Sequence, residues 1–324
     1  MALSRAGRFI GGQRIRSGGR WRPEGTPDIS VVALSTAAGD NRPVPELPEI
    51  EITARLVGGA VAGQTVESVA APGLNTVKTF KPPVQVLEGH ELTGIRRRGK
   101  LFILDSDSGF SVVTHLMSAG RLQLFQKRAS PKDRKSRLLI RLDSGDELRL
   151  REFGTHQRAW AKVFETGEVE RDEYLAGLGP EAWPGPPDLG PLLDSPRPLY
   201  AVLRDQKVIA GIGRAWVDEI LWSARLSPFK RGADLSNEEA DDLRTATIDR
   251  LDGAISHYEQ GLALPLPDKL PWPLKVHHHE GEDCPRCGST IEAVHYRDYV
   301  MCYCPAEQTG GKSLKDRRLS RLLK

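Results

Sequence analysis

The stretch Pro45-Glu46-Leu47-Pro48-Glu49-Ile50-Glu51 holds the residue types in this chain that can do covalent chemistry. A proline nitrogen at the head of a chain is a secondary amine. Its attack on an aldehyde-like carbon, such as C1′ of a sugar, gives an iminium that stays charged and draws electrons from neighbouring bonds. Inside a chain the same nitrogen is an inert amide. The flanking residues suit the start of a helix: Pro48 fits the first turn, Glu49 and Glu51 complement the positive end of the dipole, and Ile50, Ala54 and Val57 share an apolar face before Gly58-Gly59. That end of the dipole also depresses an amine from its usual pKa of about 8.

Whether Pro45 is free depends on what precedes it. Residues 1–43 hold seven arginines against Glu24, Asp28 and Asp40, a charge of +4 that leaves −1 for the rest of a chain whose total is +3. They are rich in Gly, Ser and Pro and lack sustained periodicity, so residues 1–44 are expected to form a disordered extension. Their acid-free, Arg-rich beginning resembles a transit peptide. Val44 offers another explanation, because a GTG codon can be read as an initiator methionine, whose removal would expose Pro45. The expectation is a translation start at Val44, with a removable leader as the alternative.

A second chemical cluster lies near the C-terminus. Cys284-Pro285-Arg286-Cys287 is followed by Cys304-Pro305-Ala306-Glu307, two knuckles separated by a β-hairpin, as in a zinc ribbon. Glu307 stands where a fourth cysteine is expected. A carboxylate can ligate zinc, so either Glu307 or Cys302 is left to complete a site with Cys284, Cys287 and Cys304. His277, His278 and His279 read as linker residues. Four cysteines confined to positions 284–304 do not make a disulfide framework, which points to a reducing cytoplasm, and no apolar run is long enough to span a membrane.

The remaining elements position these groups. Eight short segments between Thr65 and Phe164 read as strands, with Asp107-Ser108-Gly109 and Asp143-Ser144-Gly145-Asp146 as hairpin turns. Their number predicts a β-sandwich with a helix at its edge. Lys100 follows Gly99 at a strand start and is a candidate phosphate contact. Met117 and Phe153 sit in glycine-bearing loops, either as core or as apolar wedges for a duplex. A Pro-rich linker leads to helices over Leu199–Asp205 and Arg214–Ala224. The Gly211-Ile212-Gly213 turn between them offers amides to a phosphate. Ser236 opens a third helix whose Leu243, Thr247, Leu251, Ala254 and Tyr258 share a face and read as scaffold. The class is α+β and multi-domain, with a β-sandwich over 45–170, a linker and helical domain over 171–280, and a zinc hairpin with a basic tail over 281–324.

In this order the motifs resemble the formamidopyrimidine-DNA glycosylase and endonuclease VIII family of base-excision repair enzymes. The resemblance rests on Pro-Glu-Leu-Pro-Glu, the Arg-Gly-Lys hairpin, His-Leu-Met, Arg-x-Phe-Gly, Leu-Gly-Pro-Glu, Asp-Gln-x-x-x-Ala-Gly-Ile-Gly and the terminal cysteine hairpin. It implies a bifunctional DNA glycosylase and abasic-site lyase, a monomer in the bacterial cytosol with damaged double-stranded DNA as its partner and one structural Zn2+. It also implies that the β-sandwich is catalytic and that the helical domain binds DNA. Pro45 would attack C1′ of a flipped nucleotide, Glu46 would protonate the sugar ring oxygen, Glu49 would help position the site and Lys100 would hold a phosphate. Met117, Arg151 and Phe153 would fill the gap in the duplex. Gly211, Gly213 and Arg214 would belong to a helix-two-turn-helix clamp, and Arg297 would enter the minor groove.

The chain also departs from the family pattern. Arg214 stands at a customary asparagine and Tyr200 at a customary lysine, and the segment Gln260–Leu274 is short and Pro-rich. The last feature points towards an endonuclease VIII-like spectrum that includes oxidised pyrimidines. Arg214, Glu307 and the extension before Pro45 motivate a competing reading, a catalytically silent protein of the same fold that binds damaged DNA.

Overall fold

The computed structural model describes residues 44–314 apart from positions 131, 155, 156 and 298. Residues 1–43 of the extension expected over 1–44, and the basic tail beyond Leu314, lie outside the described residues.

Helix α1, Leu47–Val61, opens the fold with Pro48 in its first turn and buries Ile50, Ala54 and Val57, the face anticipated from their spacing. Eight strands follow: β1 Val66–Ala70, β2 Leu92–Arg98, β3 Leu101–Ser106, β4 Phe110–His115, β5 Gly120–Phe125, β6 Ser136–Leu142, β7 Glu147–Glu152 and β8 Trp160–Glu165. They form two antiparallel four-stranded sheets, ordered β1-β6-β7-β5 and β2-β3-β4-β8. Side chains alternate across a strand, so Phe102 and Leu104 of β3 meet Leu122 and Ile140 between the sheets. Leu101 and Ile103 point the other way, towards Val169 and Leu175. Both faces of β3 are therefore covered, which is why its sequence, Leu-Phe-Ile-Leu, does not alternate.

Short helices α2 Glu173–Ala176, α3 Leu189–Leu193 and α4 Leu199–Leu203 lead into α5 Arg214–Ser223 and the long α6 Asn237–Gly261. Ser236 and Glu239 form the expected capping box of α6. Strands β9 Glu292–His295 and β10 Val300–Tyr303 pair as an antiparallel hairpin, and α7 Pro305–Gln308 follows. Among the described residues no helix is long and apolar enough to cross a membrane.

The two main cores interlock. Leu47 of α1 is buried in the helical core with Ile212, Trp216 and Leu251. Tyr258 of α6 is buried in the sandwich core, as are Leu266 and Leu270 of the segment after it. A division of the chain at residue 170 therefore separates lengths of sequence but not packing units. The hairpin is fastened to the helical core by Glu219, a side chain with no exposure. Its Oε1 accepts hydrogen bonds from the backbone N–H groups of Lys275, Val276 and His277 at 2.9, 2.7 and 3.0 Å. Its Oε2 meets Arg250 Nη2 at 2.6 Å. Glu219→Ala strands a half-buried guanidinium and three backbone amides together, and a loss of about 3 kcal/mol is expected in equilibrium chemical denaturation.

Candidate active site

Pro45 and Glu46 are held where the starts of two helices converge. Glu46 precedes α1, and its carboxylate crosses to α5, accepting from the N–H of Ala215 at 3.1 Å and of Trp216 at 3.2 Å. These are among the orphan donors of the first turn of α5, at the positive end of its dipole. The Leu47 N–H donates to Gly211 O at 3.1 Å, so backbone and side chain together tie α1 to the turn before α5.

This geometry gives the Gly211-Ile212-Gly213 turn a different use from the one expected. A Cβ on Gly213 would lie 2.1 Å from the Glu46 carboxyl carbon, and one on Gly211, where φ is +107°, would lie 2.4 Å from a Leu47 methyl. The glycines clear space for Glu46 and Leu47. The first amides of α5 beyond the turn, those of Ala215 and Trp216, are taken by a carboxylate of the same chain. Gln206 braces the turn, accepting from the Gly211 N–H at 3.0 Å and donating to Ile212 O at 2.7 Å.

Glu49 lies one helical turn beyond Glu46. Its Oε2 accepts from the Glu46 N–H at 2.9 Å, and both its oxygens lie 3.3 Å from Trp216 Nε1. Tyr258 Oη donates to Oε1 at 2.7 Å. Burial, reinforced by the negative charge of Glu46, raises its pKa from an ordinary 4.5 to about 7. This carboxyl exchanges its proton near neutrality, as acid–base chemistry at physiological pH requires. Tyr258 and Trp216 were not singled out from sequence. Tyr258 lies on the apolar face of α6 and was read as scaffold; its buried hydroxyl, which needs a partner, was the available signal.

A group of cations faces these acids. Lys100 occupies the two-residue turn between β2 and β3 with Gly99, at φ +56°. Glu181 of the Leu-Gly-Pro-Glu motif fastens that turn, accepting from the Gly99 N–H at 2.6 Å and pairing with Arg98 at 2.8 Å and with Arg97. Burial lowers the Lys100 pKa, which also feels the charges of Glu46, Arg204, Glu49 and Arg214. Arg204 was absent from the sequence reading. Its guanidinium lies over the rings of Tyr200 at 4.6 Å and Tyr299 at 4.4 Å, while Nε and Nη1 are buried without hydrogen-bond partners. Arg214 lies 5.1 Å from the Tyr299 ring, and Tyr299 stacks in turn on Tyr200 and Tyr296. Arg297 is exposed at the turn between β9 and β10.

The other loop residues border this site. Burial, then the charge of Lys100, lowers the His115 pKa to about 4, and its neutral Nδ1 accepts from the Met117 N–H at 2.7 Å. Met117 is half-buried with φ +52°. Arg151 lies 4.8 Å from the Phe153 ring, and its Nη1 reaches Gln123 Oε1 at 2.9 Å and Asp268 Oδ1 at 2.8 Å. Asp268 belongs to the Pro-rich segment after α6, which is also fastened by Gln123 Nε2 to Leu266 O at 2.8 Å. A mostly apolar recess beside Pro45 is lined by Glu49, Leu116, Gln123, Leu266 and Trp272. The Pro-rich segment thus forms one wall of the space next to the candidate nucleophile.

At the hairpin, donor atoms of Cys284, Cys287 and Cys304 lie within 4.8 Å of one another, with Cys287 Sγ and Cys304 Sγ 3.4 Å apart. Three converging thiols fit a thiophilic metal with one position left for another donor. Neither expected fourth ligand joins them at that spacing. The Glu307 carboxylate is engaged by Arg286 at 2.6 Å and Arg225 at 3.1 Å. Cys302 is grouped instead with Asp218 and His277. Ser289 Oγ is the polar group beside the thiols, 3.1 Å from both Cys287 Sγ and Cys304 Sγ.

A sandwich joined to a helix-turn-helix pair and a cysteine hairpin, with an acid pair facing a cation group, is the arrangement of a nucleic-acid-processing protein. The formamidopyrimidine-DNA glycosylase N-terminal domain matches residues 44–156, and the family's H2TH domain matches residues 191–264. A formamidopyrimidine-DNA glycosylase of Bacillus cereus is 29% identical over 282 residues, covering 81% of this chain and 98% of that protein. A formamidopyrimidine-DNA glycosylase-like protein of Mycobacterium tuberculosis is 43% identical over 150 residues, 45% of this chain and 94% of its own length. The Lactococcus lactis Fpg in complex with abasic-site DNA superposes with a TM-score of 0.73 at 26% identity, over 82% of this chain and all of that one. The same enzyme bound to DNA containing an oxidised pyrimidine gives 0.72 at 26% identity, with the same coverage. The chain belongs to the formamidopyrimidine-DNA glycosylase and endonuclease VIII family.

The Glu49 shift carries a stability signature. The native state keeps this proton up to about pH 7, whereas the unfolded chain releases it near 4.5. Stability therefore falls as pH rises through that window, by about 3 kcal/mol in all. Denaturation measured from pH 4.5 to 8 should show this decline in the parent protein and its loss in Glu49→Gln.

Proposed function

We propose that this protein is a DNA glycosylase of base-excision repair that removes oxidised bases and then cuts the strand as an abasic-site lyase, using the Pro45 nitrogen once it is freed from Val44. The observation that carries the proposal is the convergence of Pro45, Glu46 and Glu49 at two helix starts, opposite Lys100, Arg204 and Arg214. The relatives crystallised with abasic and oxidised-base DNA support the same reading.

In this mechanism the Pro45 amine attacks C1′ of the extruded nucleotide and the damaged base leaves, taking up a proton. Glu46, fixed by the amides of Ala215 and Trp216, is aimed at the sugar, where proton delivery to the ring oxygen promotes opening. Glu49 supplies a proton store beside it. The resulting iminium acidifies the 2′ proton, whose removal drives β-elimination and then δ-elimination. Lys100, Arg204 and Arg214 hold the flanking phosphates, and Arg297 enters the minor groove. Met117, Arg151 and Phe153 occupy the space vacated by the nucleotide. The recess beside Pro45, walled by Leu266 and Trp272 of the short Pro-rich segment, would receive the extruded base, with a spectrum that includes oxidised pyrimidines. Zinc at Cys284, Cys287 and Cys304 would hold the hairpin that presents Arg297.

The mechanism is tested by borohydride trapping on abasic-site DNA, with intact-mass readout, for the full-length chain and for a form whose first residue is Pro45. Covalent capture of the Pro45-start form alone is expected, because only a free amine forms a reducible Schiff base. Binding without capture in either form would replace the enzyme reading with the silent-binder one.

Arg204 offers a separate test. Its replacement by alanine should weaken binding to DNA of any sequence and lower the slope of log K against log salt by about 1, the effect of one lost phosphate contact. An unchanged slope would assign Arg204 to packing alone.

A further inference from the structure

Cys302 and His277 take no part in the proposed chemistry, yet the fold brings both against Asp218. The three residues come from separate segments: Asp218 lies one turn beyond Arg214 on α5, His277 in the linker leading to the hairpin, and Cys302 on β10. They are 1%, 4% and 1% exposed, and their ligand atoms all lie within 4.8 Å of one another. His277 Nδ1 is 2.6 Å from Asp218 Oδ2, and the Cys302 N–H donates to that same oxygen at 2.9 Å. Asp218 Oδ1 is buried with no hydrogen-bond partner, and the carboxylate's one ion-pair partner among the described residues is His277.

A buried carboxylate oxygen is costly when nothing approaches it, and a hydrogen bond to the other oxygen does not relieve it. A cation would. Thiolate sulfur, imidazole nitrogen and carboxylate oxygen are together the donors that zinc selects. A divalent ion also cancels the charges of one thiolate and one carboxylate, so the filled site is neutral, the condition under which it can be buried. We propose that Asp218, His277 and Cys302 form a second zinc site, distinct from the three-cysteine cluster, with the unpartnered Asp218 Oδ1 as an additional donor. The His278 backbone N–H is directed at the Cys302 sulfur, an outer contact that steadies a thiolate ligand. All three side chains are closed off from solvent, so the ion is structural. It pins β10 and the linker to α5, the helix whose first amides hold Glu46.

The test is metal content by mass spectrometry on full-length protein purified with zinc and freed of loose metal, alongside His277→Ala, Cys302→Ser and Cys287→Ser. About two zinc ions per chain are expected, with one lost in His277→Ala and in Cys302→Ser and the other lost in Cys287→Ser. A parent that holds a single ion and keeps it in Cys302→Ser overturns the proposal. A parent whose single ion is lost in Cys302→Ser but kept in Cys287→Ser supports it and removes the three-cysteine reading instead. X-ray absorption on the parent protein gives a second readout that does not depend on variants folding. Two filled sites average about two sulfurs per zinc, whereas a lone three-cysteine site gives about three and would also overturn the proposal.

Discussion

The carboxylate of Glu46 against the first amides of α5 is the contact on which the rest of the structure depends. It sets the start of α1 against the start of α5, and the sandwich and the helical core are oriented by those two helices. The bond is between a charged acceptor and orphan N–H groups, so it is stronger than a neutral hydrogen bond and is strengthened by exclusion of water. Room for it exists because residues 211 and 213 have no side chains. The conformation of that turn is in turn dictated by Gln206, so a motif that reads as a DNA clamp is equally the support of an acid on another domain.

The second carboxyl obeys a different logic. Glu49 accepts from an indole N–H, a phenol and the backbone of its own helix. Burial favours its neutral form, and two glutamates three residues apart acquire different environments. The cations that balance the pair stand across the site on the β2–β3 turn and at the ends of α4 and α5. Lys100, Arg204 and Arg214 thus gather positive charge on the side of the site opposite the two acids.

Much of this was legible in the order of residues. The eight strands, the start of α1, the α4–α5 pair and the capping box of α6 follow from periodicity and turn chemistry, and these are local properties. Pro45, Glu46, Glu49 and Lys100 were recognisable as a group because the site uses residue types that have little other reason to recur together. What escaped was everything fixed by distant contact. Tyr258 lies 209 positions from Glu49 and sits on a face otherwise devoted to packing. Arg204 looks like an ordinary basic residue at a helix end until Tyr299 of the hairpin closes over it beside Tyr200 of its own helix. The glycines of the 211–213 turn suggested an open anion cradle, because nothing nearby in sequence reveals that the cradle is filled by Glu46. Glu307 and Cys302 seemed interchangeable at the cysteine cluster. Neighbouring arginines and the strand's alternation send them elsewhere.

The tie between Arg151 and Asp268 has a mechanical consequence. Asp268 is half open to water, and ion pairs of that kind contribute about 1 kcal/mol or less. Under the proposed function Arg151 would leave its own protein for the interior of a duplex, and an arginine used in that way is not held tightly at home. It also cannot be left to wander, because finding one geometry among many would slow every encounter. A weak, directional tether meets both demands: it keeps the side chain extended along the Phe153 ring at little energetic cost and lets go when a better counter-charge arrives. The other end of that tether is the Pro-rich wall of the recess, and because Gln123 and Arg121 hold the same wall to the sandwich, the arginine can be released while the wall stays in place.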